Sequence, residues 1–262
     1  MATPRSSVHA DSGVGRIGII VGSGSGHWPL AAGPEVVVET PFGAPSSALA
    51  RIVIGGAEVL ALARHGLAHT LAPHAVNYRA NLWALHAAGV RTCIGVNTVG
   101  AIAPGFVPGE LAIPDQIIDY TWGRASSFGA DGAPVTHSEF TEPFTAELRG
   151  ELATAAADCG LSVRRGVYGV TQGPRLETAA EIDVLARDGC AMVGMTAMPE
   201  AILARELGMA YAICAAAVNY AAGRGPGGIA ILADIDRHMA LTMARIAKVL
   251  EIAVPRLVRA AV

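Results

Sequence analysis

At 262 residues, 52% hydrophobic and 16% charged with 31 glycines, the chain is too apolar for disorder and long enough for one large α/β domain. A formal net charge of −3 excludes the basic surface of a general nucleic-acid binder. No apolar run approaches membrane-spanning length without a glycine, proline or charge inside it, so no membrane partner is expected.

Residues 1–14 lack the apolar stretch of a secretory signal and read as a disordered leader, leaving 15–262 as a single domain. Apolar runs rich in β-branched residues predict strands at Ile17–Val21, Val36–Val38, Ile52–Ile54, Val59–Ala63, Thr92–Val96, Leu111–Ile118, Val163–Val170 and Tyr211–Val218. Helices are predicted over Val76–Ala88, Phe144–Asp158, Thr178–Arg187, Pro199–Leu207 and Leu232–Ala260. Early strands follow one another and later ones alternate with helices. That order predicts a single three-layer α/β domain with a mixed central β-sheet flanked by helices. Gly123–Pro134 and Gly223–Gly228 break every period and read as loops. Cys93, Cys159, Cys190 and Cys214 have neither CxxC nor Cys/His spacing, which points to reduced, mostly buried thiols in a cytoplasmic protein and to no metal site.

Small polar residues gather at the predicted strand ends. The first strand runs into GSGSG at Gly22–Gly26, which invites a dinucleotide-binding reading. Its spacing is GxGxG, and Pro29, Gly33 and Pro34 leave no room for the long helix such a site needs. What is left is a loop whose backbone N–H groups, with Ser23 or Ser25, can cradle an anion. Arg64 and His65 follow the strand ending at Ala63; the guanidinium offers a planar fork of donors and the imidazole a further donor. Asn97 and Thr98 follow the next strand. Thr196 stands before a helix, where it serves either as an N-cap or as an anion ligand. Each segment alone is an ordinary turn or cap. Together, four of them around one arginine favour a phosphate pocket.

The stretch RHGLAHTLAPHAVNYRANLWAL at Arg64–Leu85 resembles the signature of the trimeric purine nucleoside phosphorylase and methylthioadenosine phosphorylase family. So do VNTVGAI, GVYGVTQGPRLETAAE at Gly166–Glu181, GMTAMPEAILARELGMAYA at Gly194–Ala212 and AVNYAAG at Ala217–Gly223, in consistent order from Arg16 to Leu257. The resemblance implies phosphorolysis of a purine nucleoside, with inorganic phosphate as co-substrate, no cofactor, and a homotrimer. It implies phosphate ligands at Ser23, Arg64, His65, Asn97, Thr98 and Thr196, with catalysis resting on Asn219, His65 and Arg64. Met195 is implied under the ribose, and Glu177, Asn219 and Ala221 at the purine. Tyr120–Arg124 and Gly123–Pro134 are the segments from which a neighbouring subunit would lend a residue. Three positions depart from the family pattern: Leu176 replaces an aromatic, Asn97 a Ser or Thr, and Ala221 the aspartate of adenine-handling relatives.

Asn219 and Glu177 suit a 6-oxopurine, since an amide donates to O6 and a carboxylate accepts from N1–H. Two unpaired buried groups at about 1–3 kcal/mol each would disfavour the wrong base. The family's histidine for an unmodified 5′-hydroxyl has no counterpart before His238, where Ile229 and Ile231 stand instead. The combined expectation is cleavage of 5′-methylthioinosine. Methylthioadenosine or inosine and guanosine on the same scaffold, and a non-catalytic nucleoside-binding protein, are the alternatives.

Overall fold

A computed structural model describes residues 16–30, 33–129, 137–226 and 230–260. The leader, part of each predicted loop, and Ile229 lie outside the described residues.

The centre of the sheet is parallel. β1 (Arg16–Val21) lies between β4 (Ala57–Ala63) and the long β5 (Val90–Ala101), and β11 (Ala210–Tyr220) covers the far side of β5. The continuous apolar runs of these strands reflect burial on both faces. In β4, Leu60 and Leu62 enter one core while Val59, Ala61 and Ala63 enter the other. In β11, Tyr211, Ile213, Ala215 and Ala217 alternate with Ala212, Cys214, Ala216 and Val218 in the same way.

Helices close both faces. α1 (Tyr78–Ala87) and α4 (Ala197–Glu206) contribute Leu82, Leu85, Ala201 and Leu203 to the first core. α2 (Ala146–Asp158) and α5 (Ile231–Ala260) contribute Leu148, Leu152, Met243, Ile246 and Leu250 to the second. α3 (Ala179–Arg187) begins with a capping box, in which Thr178 accepts from the N–H of Glu181 and Glu181 reaches back to the N–H of Thr178. The expected three-layer architecture is therefore present.

β2 (Glu35–Val36) and β3 (Leu49–Ile54) extend one edge antiparallel, and β10 (Cys190–Gly194), β9 (Val167–Val170) and β7 (Gln116–Asp119) extend the other. β6 (Leu111–Ala112) joins β11, and β8 (Val163–Arg164) joins β6. Two predicted strands are thus each divided. Pro114, without an N–H, interrupts 111–118, so β6 pairs with β11 while β7 pairs with β9. Gly166, at φ +136°, breaks 163–170. β10 was not expected, because five residues closed by a glycine carry little periodicity.

One detail of register makes the site. β1 accompanies β5 as far as Val21 opposite Val96, and β10 takes the same side only at Gly100 and Ala101. Asn97, Thr98 and Val99 keep β11 on one side and have no strand on the other. The VNTVGA segment is therefore strand throughout, not the loop after one. The gap beside it opens into a cavity.

Candidate active site

The cavity holds about 500 Å³ and is lined by strand ends and the start of α5. Gly22 and Ser23 follow β1, Arg64 and His65 follow β4, Thr98 sits in the gap of β5, and Met195 and Thr196 follow β10. Leu176 and Glu177 come from the β9–α3 loop and Asn219 from β11. The GSGSG loop turns into a single 3-10 turn at Ser25–His27, which leaves no long helix behind it.

Arg64 is wholly buried, and most of its donors are committed inside the protein. Nε donates to Glu200 Oε2 at 2.7 Å, and Nη2 donates to Glu200 Oε1 at 2.7 Å and Asn97 Oδ1 at 3.1 Å. Nη1 donates to the carbonyl of Val96 at 3.1 Å. Of the five N–H groups a guanidinium owns, one on Nη1 remains. Nη1 lies against Gly22, where a Cβ would come within 2.6 Å of it. The fork expected to grip phosphate thus grips Glu200, and a single N–H is left for the cavity. Burial works against the charge, but the carboxylate of Glu200 holds the guanidinium protonated and raises its pKa.

Asn97 is the second correction. Its side chain does not line the cavity; Oδ1 accepts from Arg64 and Nδ2 donates to Thr196 Oγ1 at 3.0 Å. That bond orients Thr196. Thr196 occupies the N-cap position of α4 but makes no capping bond, and with its lone pair engaged by Asn97 its hydroxyl proton is free to point into the cavity. Gly95 is required under this network, since a Cβ there would meet Tyr211 Oη at 2.5 Å.

His65 also differs from expectation. Its Nδ1 lies 2.8 Å from the carbonyl of Leu71, which can only accept, so Nδ1 carries the proton. Burial, then Arg64, push its pKa down to about 4. The neutral ring presents Nε2 as an acceptor, suited to a phosphate hydroxyl and not to a phosphate oxygen.

Glu177 Oε1 accepts from Thr171 Oγ1 at 2.6 Å, and among the described residues its second oxygen has no partner. Asn219 gives one amide N–H to the carbonyl of Tyr220 at 2.8 Å and keeps one N–H and its oxygen. Ala221 is not in the lining; it is buried beneath Gly100. Ile231 is absent from the lining too, because the helical phase of α5 turns Leu232, Ile235 and Met239 inward instead.

Arg124 was assigned to a segment lent to a neighbour, yet its guanidinium turns into its own chain and bonds the carbonyls of Gln172, Met195 and Met198. Glu200 and Tyr211 were missed as site components. The available signal for Glu200 was an acid in the otherwise apolar helical run PEAIL, four residues after Thr196.

A mixed α/β sheet that gathers anion donors at its strand ends, beside a mixed polar and apolar pocket, defines an enzyme of the nucleoside phosphorylase type. The chain belongs to the Phosphorylase superfamily, which it matches over residues 16–255. A probable S-methyl-5′-thioinosine phosphorylase from Xylella fastidiosa is 48% identical over 229 residues, covering 86% of this chain and 92% of that one. A 6-oxopurine nucleoside phosphorylase from Pyrococcus furiosus is 46% identical over 215 residues, covering 79% and 80%. Methylthioadenosine phosphorylase from Schistosoma mansoni, solved with tubercidin, superposes with a TM-score of 0.83 at 29% identity over 94% of this chain and 95% of that one.

Proposed function

We propose that this protein cleaves 5′-methylthioinosine with inorganic phosphate to give hypoxanthine and 5-methylthioribose 1-phosphate. The observation that carries the reading is the division of the cavity lining by chemistry. Ser23, Arg64, His65, Thr98 and Thr196 offer partners to phosphate, Glu177 and Asn219 offer an acceptor and an amide to a base, and Leu232, Ile235 and Met239 offer an apolar wall. The single histidine of α5, His238, bonds the carbonyl of Asp234 at 2.9 Å and is not in the lining, so the apolar wall favours a thioether over a hydroxyl at C5′.

In the reaction the C1′–N9 bond breaks, a phosphate oxygen forms the new bond to C1′, and the purine leaves with the electron pair. The ribose passes through oxocarbenium character. Positioning and electrostatic stabilisation at both ends of this charge separation supply the rate. The N–H of Asn219 meets the charge that develops on the purine, and the remaining Arg64 N–H and the Thr196 hydroxyl fix the nucleophile. The chemistry draws on no metal or organic cofactor. A homotrimer and a cytoplasmic location complete the proposal; among the described residues no helix is long and apolar enough to cross a membrane.

The test is base release from methylthioinosine, methylthioadenosine and inosine, with and without phosphate. Phosphate-dependent release, fastest from methylthioinosine, is expected. Release without phosphate would refute the reaction, and faster cleavage of methylthioadenosine would refute the role of Glu177 and Asn219. In the same assay Asn219→Asp should shift preference toward the 6-amino substrate, since a carboxylate can only accept.

A further inference from the structure

Two loops that do different jobs meet behind the nucleoside. Thr171–Glu177 leaves β9 and carries Glu177; Met195–Pro199 leaves β10 and carries Met195 and Thr196. They touch without slack, for a Cβ on Gly173 would fall 2.4 Å from Met195 Sδ. Thr171 N–H donates to the carbonyl of Gly194 at 2.9 Å where the two segments leave their paired strands. Beyond that bond both backbones are irregular: Gly173 has φ +59° and Met198 is non-helical within α4.

Arg124 bridges them. Nη1 donates to the carbonyls of Met195 at 2.8 Å and Met198 at 2.6 Å, and Nη2 to those of Gln172 at 2.8 Å and Thr171 at 3.4 Å. The guanidinium also sits 5.7 Å from the ring centroid of Tyr78. One rigid planar group thus holds carbonyls of both loops, which a flexible point charge could not do in the same geometry. Among the described residues Arg124 makes no ion pair: its two terminal nitrogens serve the backbone carbonyls, with Tyr78 Oη 3.5 Å from Nη1, and Nε is buried without a partner.

We infer that Arg124 is a positioning residue that fixes the Glu177 loop against the Met195 loop, setting where the nucleoside lies relative to phosphate. The inference rests on the phosphorylase reading. Phosphate is held by Ser23, Arg64, His65 and Thr98, which Arg124 does not touch, and by Thr196, which shares the tethered segment but whose hydroxyl is held separately by Asn97 Nδ2 at 3.0 Å. The nucleoside depends on both tethered loops.

The experiment is steady-state kinetics of Arg124→Lys with each substrate varied. We expect the KM for 5′-methylthioinosine to rise about tenfold and kcat to fall tenfold to a hundredfold, since roughly 1 Å of misplacement costs ~10²-fold. The KM for phosphate should stay nearly unchanged. A purely structural role lowers the active fraction, so apparent kcat falls with both KM values intact; that result overturns the inference, as does a rise confined to phosphate or wild-type behaviour. If Arg124→Lys does not fold, Arg124→Gln takes its place, and failure of both to fold assigns the residue to stability and overturns the inference. Calorimetric binding of hypoxanthine, expected to weaken about tenfold on the same grounds, reads the geometry without turnover. Wild-type protein with no phosphate-dependent cleavage would sink the phosphorylase reading, while this binding measurement would still judge Arg124.

Discussion

His65 illustrates how one backbone contact sets the chemistry of a side chain. The carbonyl of Leu71 accepts a hydrogen bond from Nδ1–H, and burial with Arg64 nearby keeps the ring neutral down to about pH 4. This has a consequence for stability. Above pH 6.5, the ordinary histidine value, neither folded nor unfolded chain protonates this residue. As pH falls from 6.5 toward 4 the unfolded chain gains a proton that the folded one refuses, so stability is lost across that window and levels off below it. The loss amounts to something on the order of 3 kcal/mol. Urea unfolding of wild type and His65→Gln at a series of pH values between 8 and 4.5 measures it. Wild type should lose stability more steeply below pH 6.5, and equal slopes would remove the depressed pKa. Arg64 and His65 were visible in the sequence as a polar pair at a strand end. Their hydrogen-bonding directions were not, because Glu200 and Leu71 meet them only through the fold. Asn97 was legible as a polar residue in the right place, but the bonds that commit its side chain to Arg64 and Thr196 were hidden for the same reason.

At the scale of elements, the strands were readable because burial on both faces makes them continuous apolar runs, and the helices because burial on one face recurs every third and fourth residue. β10 escaped because short buried strands carry no such signature, and the register of β1 and β10 on β5 is a property of three separated segments. That register places Gly22 where two strands part. Its Cα lies so near the Arg64 guanidinium that a methyl group would sit 2.6 Å from Nη1 and 3.2 Å from the carbonyl of Val96. Gly22→Ala should therefore push Arg64 or the β1 loop aside, at an overpacking cost of about 1–3 kcal/mol. Part of that strain falls on the single N–H left for phosphate, so the KM for phosphate should rise roughly tenfold. The KM for the nucleoside should hardly move. Unchanged phosphate kinetics would show that the loop has room to yield and that Gly22 serves only the turn.

For the whole molecule, the decisive question is what covers the 5′ end of the cavity. Leu232 lines it and yet is 67% exposed, and Trp122, at 72%, leaves another large apolar side chain on the surface. An apolar substituent gains roughly 25 cal/mol per Å² only from surface that becomes dry. In a lone chain, Leu232 would face water and give methylthioinosine little advantage over inosine. In the proposed homotrimer, a neighbour laid across the start of α5 would dry that wall. Sedimentation should then report a trimer at micromolar concentration. On dilution toward dissociation, the KM for methylthioinosine should climb while that for inosine changes less, because only the thioether depends on the cover. A monomer that keeps the full methylthio preference would mean that Ile235 and Met239, within one chain, suffice to form the 5′ pocket.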